Sequence, residues 1–184
     1  SLGIVAFISF FVGGVVAIQT ALNLTNPLIP KSLMGFATRQ SVILEFGPTF
    51  FSVIMAGKMG SFITSTIGTM RVTEQIDALE VMGVNALNYL VFPKLIALLL
   101  YPFVIGIAMF LGILGGYIAA VYGGFGNGSD FIVGLQKDFV PFHIAYAFIK
   151  TFVFGLVLAT IPSFHGFYMK GGALEVGKAS TVAF

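Results

Sequence analysis

The 184-residue chain carries charge on only 9% of its residues while 58% are apolar, and a mean hydropathy of +1.03 excludes a water-soluble globular domain. Its net charge of +2 comes from nine Lys and Arg, set singly, against seven Asp and Glu, so there is no basic stripe and nucleic-acid binding is excluded. The absence of cysteine removes disulfides, thiolate metal sites and cysteine nucleophiles together.

A hydrocarbon core is crossed by about 20 mostly apolar residues. Leu2 to Leu24 contains no ionisable residue and reads as a first membrane span, with Gly13-Gly14 as a contact point for a neighbouring helix. No basic region is seen ahead of it, and it is expected to be a span rather than a secretory signal. An apolar run at the very start and another opening at Phe184 lead us to expect a fragment, trimmed at both ends. The link Asn23 to Gln40 contains Asn26-Pro27, Pro30, Lys31 and Arg39, a turn-forming composition with room for a short helix. A second span is expected over about Ser41 to Met70, holding Glu45 and Lys58, with Pro48 near its start where amides lack helical partners.

Arg71, Glu74, Asp77 and Glu80 then crowd into Arg71 to Asn88, whereas Leu95 to Ser129 has no charge until Asp130 and must hold the third span. Pro102 is expected to kink that span, and Gly112-Ile113-Leu114-Gly115-Gly116 offers a small-residue spacing for close helix approach. Gly123 to Asp130 reads as a flexible link, Phe142 to Phe164 as a fourth span bearing His143, Lys150 and Pro162, and Gly166 to Thr181 as a polar tail. Arg71, Lys94, Lys170 and Lys178 against Lys31, Arg39 and Lys137 place the N-terminus and Arg71 to Asn88 on the cytoplasmic side. The fold class is therefore all-α: one polytopic transmembrane domain of four spans plus a short cytoplasmic helix.

That helix runs through Thr73 to Gly83. Val72, Ile76, Leu79 and Met82 share one side, while Glu74, Asp77 and Glu80 share another. Thr73 is expected to cap its start and Gly83 to supply the left-handed residue that stops it. Two readings stay open, an interfacial helix lying on lipid and a helix docked into a soluble partner. Anionic headgroups would repel the acidic face, which suits the partner better.

Ala56-Gly57-Lys58-Met59-Gly60, followed by Gly68-Thr69-Met70-Arg71-Val72-Thr73-Glu74-Gln75-Ile76-Asp77-Ala78-Leu79-Glu80-Val81-Met82-Gly83-Val84, closely resembles the signature of MlaE-type permeases. The likeness continues through Asn88 to Lys94, Gly112 to Gly116, Lys150 to Gly155 and Gly171-Gly172-Ala173, over nearly the whole chain. The resemblance implies a multi-pass permease subunit of an ABC transporter in the bacterial inner membrane. It would be a homodimer, partnered by a cytoplasmic ATPase and an MCE-domain substrate-binding protein, and would move phospholipid or a related lipid in support of outer-membrane lipid asymmetry. It also implies that Val72 to Gly83 is the ATPase coupling helix, with Arg71, Glu74, Asp77, Leu79, Glu80 and Met82 as its contact residues. Family members usually add an interfacial helix before the first span and one more span after the Gly-Gly tail, both absent here. Many members have Arg-Glu-Leu-Gly-Pro where this chain has Leu44-Glu45-Phe46-Gly47-Pro48. Only the glutamate is carried over, and Arg39 is the candidate to stand in for the arginine.

A charge inside a membrane must face a cavity or find a partner. Glu45 and Lys150, at comparable depth in the outer half, are expected to pair and to serve the substrate pathway, with Val15, Val16 and Gln19 on its wall. Lys58 is expected to snorkel to headgroups, and His143 and His165 to sit at the interfaces. No HExxH, GxSxG or GxxxxGK[ST] motif is present, so the chain cannot hydrolyse ATP itself and needs no metal or cofactor. Gly124-Phe125-Gly126-Asn127-Gly128 joins two spans and lacks the context of a nucleotide loop. The rival reading is a secondary transporter or channel built on Glu45 and Lys150, against which the acidic helix weighs. An intramembrane enzyme finds no convincing nucleophile and base at matching depth.

Overall fold

The computed structural model describes residues 2–24 and 28–183. The turn expected at Asn26-Pro27 and the apolar run expected to open at Phe184 fall outside the described residues. Those described are helical or in turns, with no strand among them. We label the helices α1 (Leu2–Asn23), α2 (Leu33–Val72), α3 (Gln75–Val81), α4 (Ala86–Tyr122, broken at Leu100), α5 (Gly128–Gln136), α6 (Phe142–Phe167) and α7 (Ala173–Ala183). Among the described residues α1, α2, α4 and α6 are long and apolar enough to cross a membrane, which gives the four expected spans.

Several boundaries differ from those read in the sequence. The second span starts at Leu33 rather than Ser41, and the third at Ala86, well before the charge-free run. Hydropathy marks where the hydrocarbon ends, but a helical hydrogen-bond ladder is free to continue into headgroup and water. The 40 residues of α2 rise about 60 Å, twice the hydrocarbon thickness. Asn85 caps α4, its Oδ1 accepting from the Asn88 amide at 3.1 Å. Helix α5 begins inside the link expected over Gly123 to Asp130 and runs on to Gln136, and α7 begins inside the supposed polar tail.

Pro48, expected to be tolerated in a first turn, and Pro102, expected to kink its span, both alter their helices, each in its own way. Pro48 lies well inside α2 rather than in its first turn. It has no N–H, and its ring would collide with the carbonyl four residues back, so Val42–Phe50 is wound as a wider π-helix. Pro102 falls in the first turn of the second half of α4, just after the break at Leu100. The expected kink is thus an interruption between two helices.

Two compact units make up the chain, Ser1–Phe51 with Phe103–Thr151 and Ser52–Pro102 with Phe152–Phe184. In the first, α1 and the second half of α4 run parallel along a glycine seam. A β-carbon on Gly13 would land on the Gly112 backbone, and one on Gly115 would land on the Phe10 carbonyl. Ser9 Oγ donates to the Ala108 carbonyl across the same seam. Ala17, Met34, Ala120 and Phe131 form a core where α1, α2, α4 and α5 meet, with Tyr117 edge-on to Phe131 at 5.8 Å.

In the second unit, α2 and α6 run parallel. Thr64 Oγ1 donates to the Pro162 carbonyl at 3.0 Å, and Tyr101 Oη to Ser52 Oγ at 3.0 Å. Here α7 runs antiparallel to α2, with Val176 over Gly68 and Ser180 Oγ donating to the Ser61 carbonyl at 3.5 Å. The chain buries small and hydroxyl residues such as Ser9, Thr38, Ser52, Thr64 and Thr151, while Phe7, Phe11, Phe103, Phe110 and Phe164 are exposed. That is the arrangement of a protein whose solvent is lipid. Lipid tails are as apolar as Phe, so close backbone approach and interhelical hydrogen bonds, not apolar burial, hold the helices together.

Candidate functional site

Three places gather the residues singled out in the sequence. Glu45 lies within the π-helical part of α2 and Lys150 on α6. Lys150 Nζ donates to Glu45 Oε2 at 3.5 Å and to the Leu44 carbonyl at 3.2 Å, and it stands 5.8 Å from the centre of the Tyr146 ring. In an α-helical register the amide of residue 48 would donate to Leu44 O, but proline has no amide proton to give, and the lysine ammonium donates to that carbonyl. The pair is asymmetric in its surroundings, the Lys150 side chain being 22% exposed and that of Glu45 71%. Both were placed at this depth from the sequence, and the structure brings them together.

Arg39 does not join them. It is 4% exposed, donates through Nη1 to Leu135 O at 2.5 Å and through Nη2 to Asp138 O at 3.3 Å, and stands over Phe36 and Phe139 at 5.2 and 5.7 Å from the ring centres. It closes the C-terminal end of α5, where carbonyls lack helical donors. The stand-in role for the missing arginine is therefore not what the structure gives it. Lys58 is exposed in the π-helical turn Ala56–Gly60, far from either end of α2, and its ammonium has no ion pair among the described residues.

A second place is the outer face of α1. Phe7, Ile8, Phe11, Val12, Val15 and Val16, with Gln19 at one end and Phe46 of α2 alongside, line an open groove of about 320 Å³. Val15, Val16 and Gln19 all lie in it, as their helical spacing requires.

The third is the connection between α2 and α4. Thr73 does not cap α3. Its hydroxyl donates back to Thr69 O at 2.9 Å, closing α2, and Glu74 takes the left-handed conformation with φ 57° before α3 begins at Gln75. Arg71 Nη1 bonds Asp77 Oδ1 at 2.8 Å across this corner and holds α3 to the end of α2. Gly83, with φ 76°, ends the helix as expected, its amide bonding Glu80 O while the Val84 amide bonds Leu79 O. Of the expected apolar side, Ile76 is fully buried and Val72 and Leu79 half-buried. Met82 is 68% exposed beside Val81 at 89%. Glu74, Asp77 and Glu80 all face outward. The chain therefore leaves an acidic face and a bare apolar tip on one short helix, next to a groove of about 560 Å³ lined by Glu80, Val84, Leu87 and Phe167. No group of three or more His, Cys, Asp or Glu able to hold a metal occurs among the described residues.

Sequence reasoning missed the partners of Arg39 on α5, the Tyr101–Ser52 bond and the Asn85 cap. Asn three residues before a second Asn at an apolar boundary was a usable signal for the cap. The other two depend on contacts between distant segments.

Residues 1–184 match the family described as Permease MlaE. A "Probable ABC transporter permease protein" of Rickettsia bellii is 35% identical over 184 residues, covering 100% of this chain and 71% of the relative. One of Synechocystis is 33% identical over 184 residues, with 100% and 70% covered. The chloroplastic protein TRIGALACTOSYLDIACYLGLYCEROL 1 of Arabidopsis thaliana is 33% identical over 193 residues, covering 100% of this chain and 52% of its own length.

Proposed function

The chain belongs to the MlaE permease family and is a multi-pass membrane protein, the permease subunit of an ABC transporter; from this we propose that it moves phospholipid or a related glycerolipid, driven by a separate ATPase docked on α3. The observation that carries the reading is α3 itself. A short helix pinned by Arg71–Asp77, with three outward carboxylates and an exposed Val81-Met82 tip, suits a protein groove with a basic rim, not an anionic membrane surface. The lipid cargo is supported by the apolar groove on α1, and by the glycerolipid in the name of the Arabidopsis relative.

In this reading two copies face each other across the grooves of α1 and α2, because a chain of so few helices does not enclose a two-tailed lipid alone. Glu45 and Lys150 meet the headgroup, and an MCE-domain protein receives or delivers the lipid at the bacterial inner membrane, serving outer-membrane lipid asymmetry. The chain binds and orients; ATP hydrolysis belongs to the partner.

The test is charge reversal on α3 in the assembled complex. Glu74→Lys with Asp77→Lys is expected to lose the ATPase during copurification and to stop ATP-driven lipid transfer in proteoliposomes. Retention of both activities at the wild-type level would overturn the docking assignment.

A further inference from the structure

Where α6 ends, the chain reverses through Gly171-Gly172 into α7. Gly171 has φ 119°, and a β-carbon there would meet Glu175 Cγ at 2.7 Å, so the turn requires glycine and folds tightly against α7. The reversal sets Phe164, His165, Tyr168 and Lys170 from the end of α6 beside Glu175, Lys178 and Val182 of α7, around an open groove of about 410 Å³. Lys178 is spoken for by Glu175, bonded at 2.8 Å. Lys170 is exposed and makes no hydrogen bond or ion pair among the described residues. The groove begins where a 26-residue apolar span ends, at the level where headgroups meet water, and it lies on the same side of the membrane as α3, because α2 and α6 run parallel. Its exposed Phe164 and Tyr168 are the kind of rings that sit at that level.

We propose that this groove binds an anionic glycerophospholipid of the surrounding membrane, its phosphate on Lys170 and its glycerol region against Phe164 and Tyr168. The charge arrangement chooses this occupant: in a groove lined by Phe164, Tyr168, Met169 and Val182, with Glu175 and Lys178 paired to each other, the free Lys170 leaves a net positive charge that suits a ligand with one negative head and an apolar body. Glu175 tunes the site by holding Lys178 in an internal pair, so only one lysine is fully offered. The site does not rest on the transported-lipid reading, since it is lined entirely by residues of the second unit and shares none with the α1 groove.

The purified protein, titrated with phosphatidylglycerol, with phosphatidylcholine of the same chains and separately with inorganic phosphate, and read by native mass spectrometry, tests this. Lys170→Gln is expected to weaken phosphatidylglycerol binding about fivefold, the equivalent of about 1 kcal/mol for one lysine at an anionic surface, and to leave phosphatidylcholine unchanged. Lys170→Arg is expected to keep the preference. Glu175→Gln, which frees Lys178, is expected to strengthen phosphatidylglycerol binding, a sign that a merely structural role would not produce. An unchanged lipid preference in the Lys170→Gln, Lys178→Gln double variant would overturn the proposal. So would weaker binding in Glu175→Gln, or inorganic phosphate displacing the lipid at equal concentration.

Discussion

Glu45 and Lys150 sit 3.5 Å apart, yet the Glu45 side chain is 71% exposed on the surface of a membrane helix. In water a pair this open contributes about 0–1 kcal/mol. Facing hydrocarbon, an acidic side chain at the centre of a span would cost about 2.5–3.5 kcal/mol. The exposed carboxylate therefore belongs beside water, a headgroup or a second copy, and the pair adds little to the fold. Glu45→Gln or Lys150→Met is expected to leave ATPase assembly and the melting temperature nearly unchanged while abolishing lipid transfer. The Glu45→Leu, Lys150→Leu double variant is expected to stay inactive, and recovered transfer would show that the pair is structural. Arg39 is the opposite case, 4% exposed and bonded to two backbone carbonyls. Removing it takes a charged donor from two part-buried carbonyls, a loss of about 1–3 kcal/mol in all. Arg39→Met is expected to lower the melting temperature measurably in detergent. Arg39→Lys is expected to recover only part of the loss, because an ammonium lacks the planar fork that spans both carbonyls.

At the scale of elements, α3 owes its direction to one residue in an unusual conformation. Glu74 at φ 57° bears a left-handed penalty of roughly 1 kcal/mol that glycine does not and asparagine bears more lightly. Glu74→Gly and Glu74→Asn are both expected to slow hydrogen exchange across 75–84, since each relaxes the corner. Both are also expected to weaken ATPase capture, since each removes a carboxylate. Undiminished capture in the two variants would remove Glu74 from the docking face. The helical identity of α3 was legible because its apolar and acidic residues recur at helical spacing, and Gly83 announces its end. Thr73 was not legible as the closure of α2, because a hydroxyl serves the helix behind it as readily as the one ahead, and only the corner geometry decides. The four spans were legible from hydropathy. Their starts at Leu33 and Ala86 were not, because Arg39, Asn88 and Lys94 look like loop residues until helix packing and capping outside the hydrocarbon are seen. Glu45 and Lys150 could be matched by counting depth along two spans, whereas the partners of Arg39 lie on α5, a helix the composition of that link conceals.

On the scale of the whole molecule, lipid-facing phenylalanines and hydroxyl-lined interiors place the burden of assembly on backbone proximity. Gly13→Val is expected to prevent accumulation of folded protein, because its side chain would have to occupy the Gly112 backbone; normal expression and melting would contradict the seam. The chain's lack of cysteine makes the α1 groove directly testable. Single cysteines at Val15, Val16 or Gln19 are expected to crosslink to lipid probes or to a second copy, and absence of both products at all three positions would move the pathway elsewhere. The seam also has a consequence for motion. Rotamer changes are how packed helices usually slide past each other, and a contact made of glycine backbones has no rotamers to change. Within the first unit, α1 and residues 103–122 are then expected to travel as one rigid body. Phe46, which lines the groove beside α1, shares the π-helical segment Val42–Phe50 with Glu45, so any change in that winding is expected to alter access to the groove and the position of the charge together.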